Sequence, residues 1–324
     1  MSDKHRRSVR VTEQNDTATD DLEEILAGLR RTKKSILPKF FYDERGSELF
    51  DQICDLPEYY LTRTELGIMR RSINDMVRTI GPQASLIEFG SGASLKIRIL
   101  LDNLEQLAAY VPVDISGDFL INAARRIQLD FPDVEVLPVS ADFTQPFNLP
   151  DPKVKPIRNV VYFPGSTIGN FSPEAAEDLL RVMYQEAGEN GALLIGIDRQ
   201  KDTAILESAY NDSAGITAEF NLNVLHRINR NFSGNFDTTK FRHRAIYNEV
   251  AGRIEMYLDS ECPQVVTVAS EDFRLGEDEA ILTEHSHKYT LEGFSALANG
   301  VGFRIGNVWS DADEWFSILY CLRD

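Results

Sequence analysis

Cysteine is scarce in this 324-residue chain: Cys54, Cys262 and Cys321 lie far apart and form no C-x-x-C pair. An odd, scattered set argues against a disulfide framework and against a cysteine-based zinc site. Long apolar runs are also missing, and nothing approaches the roughly 20 consecutive apolar residues of a membrane span. Positive charge is in deficit, with 34 Lys and Arg against 51 Asp and Glu and a net charge of -17. Such a field repels phosphate backbones and anionic lipid, so neither nucleic acid nor a membrane surface is an expected partner. Small or cationic ligands fit better. The basic start, Lys4 to Arg10, runs into polar Thr12 to Asp20 and not into an apolar stretch. It reads as neither a secretory signal nor an anchor, and the chain is expected in the cytoplasm.

What is present is the composition of an ordinary globular protein, 43% hydrophobic and 26% charged. The length is comfortable for two domains. Residues 1–20 are expected to form a flexible polar arm. An amphipathic helix begins near Asp21, with Leu22, Ile25, Leu26 and Leu29 on one face. Two aromatic clusters follow, Phe40-Phe41-Tyr42-Asp43 and Leu56-Pro57-Glu58-Tyr59-Tyr60, and helical spacing returns over Thr62 to Met76. There is no internal repeat.

From residue 85 the rhythm changes to short apolar runs ending in Gly or Asp, each followed by a stretch of helical length. The runs are Leu86–Phe89, Tyr110–Val113, Val134–Val139, Val160–Phe163 and Ala192–Ile197. Buried strands alternating with helices predict a doubly wound α/β fold with a parallel sheet covered on both faces. The rhythm breaks near 201, with a helical pattern over 203–230 and strand patterns at Arg253–Leu258 and Gln264–Val268, and it returns near 289. A helix over Leu291–Asn299 then leads to a terminal hairpin, Phe303–Trp309 and Trp315–Leu322. The predicted division is a substrate-binding α+β domain of residues 21–63 and 201–288, inserted into a larger domain of residues 64–200 and 289–324. A terminal hairpin after five βα units resembles the Rossmann-like sheet of class I methyltransferases.

Glu88-Phe89-Gly90-Ser91-Gly92 sets a glycine turn where a buried strand meets a helix, so backbone amides can approach a ligand. A dinucleotide fold would carry a third glycine near Ser94 and Leu95. Taken alone, such a turn also serves as a simple tight connection. Asp114 ends the second strand roughly 20 residues past the turn, where a carboxylate accepts both hydroxyls of a ribose. Asp142 and Phe143 end the third, a pairing suited to an adenine amino group and ring face. Each carboxylate singly reads as a helix N-cap, but three successive strand ends make a nucleoside site. Lys96 is the candidate partner for a cofactor carboxylate.

These motifs resemble the histidine Nα-methyltransferases of ergothioneine biosynthesis, from about Lys39 to the C-terminus. The resemblance rests on Phe41-Tyr42-Asp43, Leu56-Pro57-Glu58-Tyr59-Tyr60 and the glycine turn. It continues through Gly165-Ser166-Thr167-Ile168-Gly169-Asn170, Ala209-Tyr210, Ala214-Gly215, Arg253-Ile254-Glu255-Met256 and Leu282-Thr283-Glu284-His285-Ser286. Leu95 and Pro164 depart mildly from the pattern. The resemblance implies S-adenosylmethionine as methyl donor, held by Gly90, Lys96, Asp114, Asp142 and Phe143. It implies that Tyr59, Asn170, Tyr210, Met256, Glu284 and Ser286 surround the amino acid, with Tyr42 and Asn170 beside the reacting amine.

The physical chemistry agrees. Tyr59 and Tyr210 offer phenol hydroxyls to a carboxylate, Asn170 an amide to an amine or carboxylate, and Glu284 and Ser286 groups for imidazole nitrogens. The expected reaction is displacement at a sulfonium methyl by a neutral α-amine, whose proton leaves through Tyr42 or water. The product is trimethylhistidine (hercynine). The expected ligands are L-histidine and the methyl donor, the protein is expected to act as a monomer, and His285 and His287, with no third ligand nearby, do not suggest a metal. Rival readings are the same chemistry on another amino acid such as tryptophan, a dinucleotide-dependent oxidoreductase, and a non-catalytic cofactor-binding module. Glu284 argues against tryptophan, because an indole has one donor and no acceptor.

Overall fold

The computed structural model describes residues 12–13, 18–91, 95–115 and 117–323. Most of the expected arm, including the basic start, lies outside the described residues, as do Gly92 and Ser94 of the glycine turn. In chain order the strands begin with β1 (Thr12–Glu13), β2 (Ala84–Phe89), β3 (Ala109–Asp114), β4 (Val139–Ser140), β5 (Arg158–Phe163) and β6 (Ala192–Asp198). They continue with β7 (Phe241–Asn248), β8 (Arg253–Ser260), β9 (Gln264–Val268), β10 (Glu271–Leu275), β11 (Ala280–His287), β12 (Phe303–Ser310) and β13 (Phe316–Arg323). The helices are α1 (Ala18–Arg30), α2 (Glu44–Asp55), α3 (Tyr60–Ile80), α4 (Leu95–Leu101), α5 (Gly117–Asp130), α6 (Pro173–Ala187), α7 (Thr203–Tyr210), α8 (Ile216–Asn231) and α9 (Leu291–Gly300).

The large sheet has the order β1-β4-β3-β2-β5-β6-β13-β12, parallel from β1 to β6. Its closing strand β13 runs antiparallel between β6 and β12. This is the sheet order and closing antiparallel strand that the resemblance to class I methyltransferases implies. Strands such as β2 and β6 are buried at every position because helices cover both faces. One face packs on residues of α6 and α9, including Leu179, Met183 and Phe294, and the other on α3, α4 and α5 through Ile68, Leu100 and Ile127. Each such fully buried aliphatic or aromatic side chain contributes about 1.5–3 kcal/mol of transfer free energy. A third core joins residues of 25–61 to residues of 206–281, around the antiparallel sheet β11-β8-β7 and the ribbon β9-β10.

Two elements differ from expectation for local reasons. The third run, Val134–Val139, is reduced to β4 and an isolated bridge from Val136 to Tyr110. Pro138 has no N–H to extend the ladder. The helical pattern over 203–230 is cut after Tyr210. There Asp212 accepts from the amides of Ile216 and Thr217 at 2.9 and 2.8 Å, and Gly215 adopts φ +76°. That side-chain cap starts α8 afresh. No helix among the described residues is long and apolar enough to cross a membrane.

Candidate active site

Parallel strands end together on one edge of a sheet, where loops and helix starts leave amides and carboxylates for a ligand. β2 ends at Phe89 and the chain turns through Gly90, whose φ of +71° suits a residue without Cβ. The Gly90 and Ser91 amides both donate to the Val113 carbonyl, at 2.9 and 3.2 Å, stitching the turn to the end of β3 beside Asp114. A Cβ on Gly90 would meet the Phe143 ring at 3.7 Å, and that ring packs on Phe89 and Phe163 at centroid distances of 5.5 and 5.9 Å. Gly90, Asp114 and Phe143 are therefore neighbours. Asp142, exposed beside Phe143, uses Oδ1 to accept from the Thr144 amide and hydroxyl at 2.9 and 2.7 Å. Its Oδ2 takes no part in that turn.

Ser91 Oγ is buried without a partner among the described residues. An unsatisfied buried hydroxyl costs about 1–3 kcal/mol, which a polar ligand over the turn removes. A bare glycine, an aromatic face, a carboxylate at the next strand end and an orphaned hydroxyl fit a nucleoside. Lys96 stands at the same edge, but its Nζ lies 2.6 Å from Glu65 Oε2 on α3, and that carboxylate is buried. Glu65 also accepts from the Gly165 amide at 3.0 Å, and a Cβ on Gly165 would come within 3.3 Å of Lys96 Nζ. The pair locks α3, α4 and the loop after β5 together. It occupies one of the three ammonium donors.

A second cluster is aromatic. Tyr59, just ahead of α3, sets its ring 6.2 Å from that of Tyr210 at the end of α7. Tyr42 packs edge-on against Phe50 and Phe220, 5.7 Å from each, and is 43% exposed at the rim. Strands β8 and β11 pair antiparallel, with Met256 opposite Glu284. A register shift between Leu282 and Glu284 marks a bulge at Thr283, whose hydroxyl donates to Asn221 Oδ1 at 2.7 Å. A bulge re-aims the side chains that follow it. Beyond it Glu284 and Ser286 share one face by the strand period of two, and Lys288 lies just past the end of β11. Ser286 Oγ sits 2.9 Å from Tyr210 Oη, and Lys288 Nζ donates to both, at 2.8 and 2.9 Å.

Behind that triangle lies Asp198, the last residue of β6 and fully buried. It accepts from Lys288 at 2.7 Å, Lys201 at 2.5 Å and Tyr60 Oη at 2.8 Å. Burial alone would raise the Asp198 carboxyl, but Lys288 and Lys201 outweigh it and hold it below the ordinary range. Burial lowers Lys201 to about 8 against the pull of Asp198, while Lys288, also desolvated, is held above its usual value by Asp198. Burial pushes the Glu284 carboxyl up to about 7, with the Lys288 ammonium only partly opposing it. Glu284 makes no hydrogen bond or ion pair among the described residues. Desolvation raises the Tyr59 and Tyr210 phenols, helped at Tyr59 by the nearby Tyr210 and opposed at Tyr210 by the Lys288 ammonium. The Tyr42 phenol, although its edge reaches solvent, is raised as well by desolvation among the packed rings around it and by Glu284, so all three stay protonated at neutral pH.

Asn170 closes the short 3-10 turn Thr167–Asn170, which packs on β11 so tightly that a Cβ on Gly169 would fall 2.7 Å from the His287 carbonyl oxygen. The turn is anchored to β6 by Ser166, a non-glycine residue at φ +58° whose hydroxyl accepts from the Asp198 amide at 2.8 Å. The Asn170 amide makes no hydrogen bond among the described residues. His285 and His287 point away from the crevice, toward Arg253 and Glu255, and their Nε2 atoms have no partner among the described residues. No group of three metal-capable side chains occurs among the described residues.

The family model for histidine-specific, SAM-dependent methyltransferases matches residues 21–323. The chain belongs to this family. It is 38% identical over 317 residues to the histidine N-alpha-methyltransferase of Mycolicibacterium smegmatis, covering 95% of this chain and 97% of that one. It is also 38% identical over 294 residues to the histidine N-alpha-methyltransferase of Mycobacterium tuberculosis, covering 89% and 90%. Ergothioneine biosynthesis protein 1 of Neurospora crassa is 30% identical over 284 residues, covering 85% of this chain and 32% of that protein.

Sequence reasoning missed four residues of this methyltransferase crevice: Glu65, Asp198, Lys201 and Lys288. Two had a signal. Asp198 directly follows the fifth apolar run, the position that singled out Asp114. Lys288 lies two residues past Ser286, just beyond the end of β11. Glu65 and Lys201 had none, since a charge on a helical pattern or in a loop reads as solvated surface.

Proposed function

We propose that the chain transfers methyl groups from S-adenosylmethionine to the α-amine of L-histidine, acting three times to give Nα-trimethylhistidine, the hercynine of ergothioneine biosynthesis. The observation that carries this reading is the Glu284 and Ser286 pair, two residues apart on β11, with Ser286 bonded to Tyr210. Membership of the family supports it. In this reading Asp114 accepts the ribose hydroxyls, the Phe143 ring and Asp142 hold the adenine, and Lys96 spends a remaining donor on the methionine carboxylate. Tyr59 and Asn170 hold the backbone groups of histidine, and Tyr210, bonded to Ser286 and Lys288, lines the same side. Met256 floors the ring pocket. Residues 21–63 and 201–288 supply the substrate side, supported by their common core.

When bound, the sulfonium supplies an electrophilic methyl group. The protein aligns the amine with it and excludes water, the usual source of large rate gains in such displacements. The C–S bond breaks as the N–C bond forms, and one proton passes to solvent before each transfer, from the histidine ammonium first and then from the mono- and dimethylated ammonium products. Tyr42, protonated at neutral pH, accepts a hydrogen bond from the amine and orients its lone pair. Tyr42→Phe is expected to lower kcat about tenfold without shifting either limb of the pH profile. A shifted basic limb would make Tyr42 the base.

Incubation with labelled S-adenosylmethionine and a panel of amino acids, followed by mass spectrometry, tests the reaction. Mono-, di- and trimethylated histidine are expected, and label transfer to tryptophan in preference would overturn the assignment. For the donor site, Asp114→Ala is expected to weaken S-adenosylmethionine binding by roughly 1–3 kcal/mol in calorimetry, the scale of a lost bond to a charged group. Unchanged affinity in a folded variant would remove Asp114 from the ribose.

A further inference from the structure

The Lys288 ammonium is fully buried, and each of its three N–H groups has a partner: Asp198 Oδ2, Ser286 Oγ and Tyr210 Oη at 2.7, 2.8 and 2.9 Å. An ammonium has no acceptor capacity, so both hydroxyls receive a hydrogen bond from it. They also lie 2.9 Å from each other. Within this triangle one hydroxyl proton sits between the two oxygens and the other must point out. The phenol is the stronger acid and, with its lone pair drawn into the ring, the poorer double acceptor, so Tyr210 donates to Ser286. Serine then accepts from both Lys288 and Tyr210, which fills its two lone pairs. Its own O–H is then left to point out of the triangle, two residues along the strand from the unpaired Glu284 carboxyl.

We propose that Lys288, anchored by Asp198, is a positioning residue that fixes the Ser286 hydroxyl as an outward donor. The pocket then presents one donor, Ser286, and one acceptor, Glu284, and it selects a neutral imidazole ring. This rests on the histidine reading above and adds the group that sets the polarity of the ring site. A neutral imidazole carries one N–H and one bare nitrogen, which matches that pair. An aromatic ring with a donor alone leaves the Ser286 proton buried and unpaired, the situation that polar sites reject most strongly. The Lys288 ammonium never touches the substrate. Without it, Ser286 can turn its proton back to Tyr210, and the requirement for an acceptor on the ring disappears.

The test compares histidine with the two pyrrolylalanines, in which one or the other ring nitrogen is replaced by C–H. Wild-type enzyme is expected to favour histidine in kcat/KM by at least about tenfold over both. In Lys288→Met that ratio is expected to fall to within about threefold, while S-adenosylmethionine affinity is unchanged. A purely structural Lys288 would lower all three substrates together and leave the ratio intact, which overturns the proposal. Should Lys288→Met not fold, Ser286→Ala carries the test: the ratio collapses if serine is the donor, and its persistence overturns the proposal. The two readings fail differently. Wild-type enzyme that does not methylate histidine defeats both, whereas methylation of histidine with an unmoved ratio in the folded variant defeats only this one.

Discussion

Glu284→Ala is expected to cut kcat/KM for histidine by roughly one to two orders of magnitude, or about 1.4–2.7 kcal/mol, while turnover of an apolar aromatic amino acid holds or rises. The reason is the state of the carboxyl. It stands in the crevice without a hydrogen bond among the described residues, and burial already raises it to about 7. An imidazole N–H is the donor that such a group lacks, and the resulting charge-assisted bond is stronger than a neutral one. Met256→Ala is the control, since it enlarges the pocket opposite Glu284 without touching the polar contact. Equal losses for every amino acid tested would make Glu284 structural or catalytic and end its role in selection.

The same carboxyl gives a pH signature. Its native value lies above that of an ordinary glutamate, so its stability contribution is present at low pH and is lost as pH rises toward and through about 7. Glu284→Gln therefore stabilises the free protein at pH 8, by on the order of 2 kcal/mol, and has little effect near pH 4. Ligand binding runs the other way. Histidine affinity in the wild type strengthens as the carboxyl ionises near pH 7, and Glu284→Gln removes that step.

The legible part of this protein is the part written in periodic apolar runs. Leu86–Phe89, Val160–Phe163 and Ala192–Ile197 became β2, β5 and β6 because strands buried on both faces leave no polar positions to blur the pattern. The antiparallel region was harder. β7, Phe-Arg-His-Arg-Ala-Ile-Tyr-Asn, is an edge strand carrying charge at half-exposed positions, and β10 is five residues long with alternate side chains in solvent. Neither has the apolar density of a recognisable run. The site divides in the same way. The groups proposed to meet ligands, such as Glu284, Tyr210 and Asp114, fall at motif positions, whereas the ion pairs nearby join segments far apart in sequence. Asp198 meets Lys288 across 90 residues, and Glu65 meets Lys96 from a separate helix. Spacing along a chain carries no record of such meetings.

Asp198→Ala is expected to give the largest loss of stability, about 3–5 kcal/mol at pH 7 and a drop in Tm on the order of 10 °C, because it strands two buried ammonium groups. Lys288 and Lys201 both use this carboxylate as counter-ion, and Tyr60 Oη donates to it as well. The charge state of the lysines then decides how the penalty varies. Lys201 already sits near 8 with Asp198 in place, so removing the carboxylate drives it, and Lys288 with it, toward the neutral amine. A lysine with a lowered native pKa binds fewer protons folded than unfolded, so its stability contribution rises with pH up to the unfolded value. The Tm gap between wild type and Asp198→Ala should accordingly narrow between pH 7 and pH 9.5 in differential scanning fluorimetry. In the wild type the sign is opposite at the acid end: the lowered Asp198 carboxyl stabilises the fold above the unfolded value near 3.8, and this is lost as pH falls through its native value. A gap that stayed constant from pH 7 to pH 9.5 would mean that the variant pairs its buried lysines elsewhere, and Asp198 would then not be the charge that holds Lys288 behind Ser286 and Tyr210.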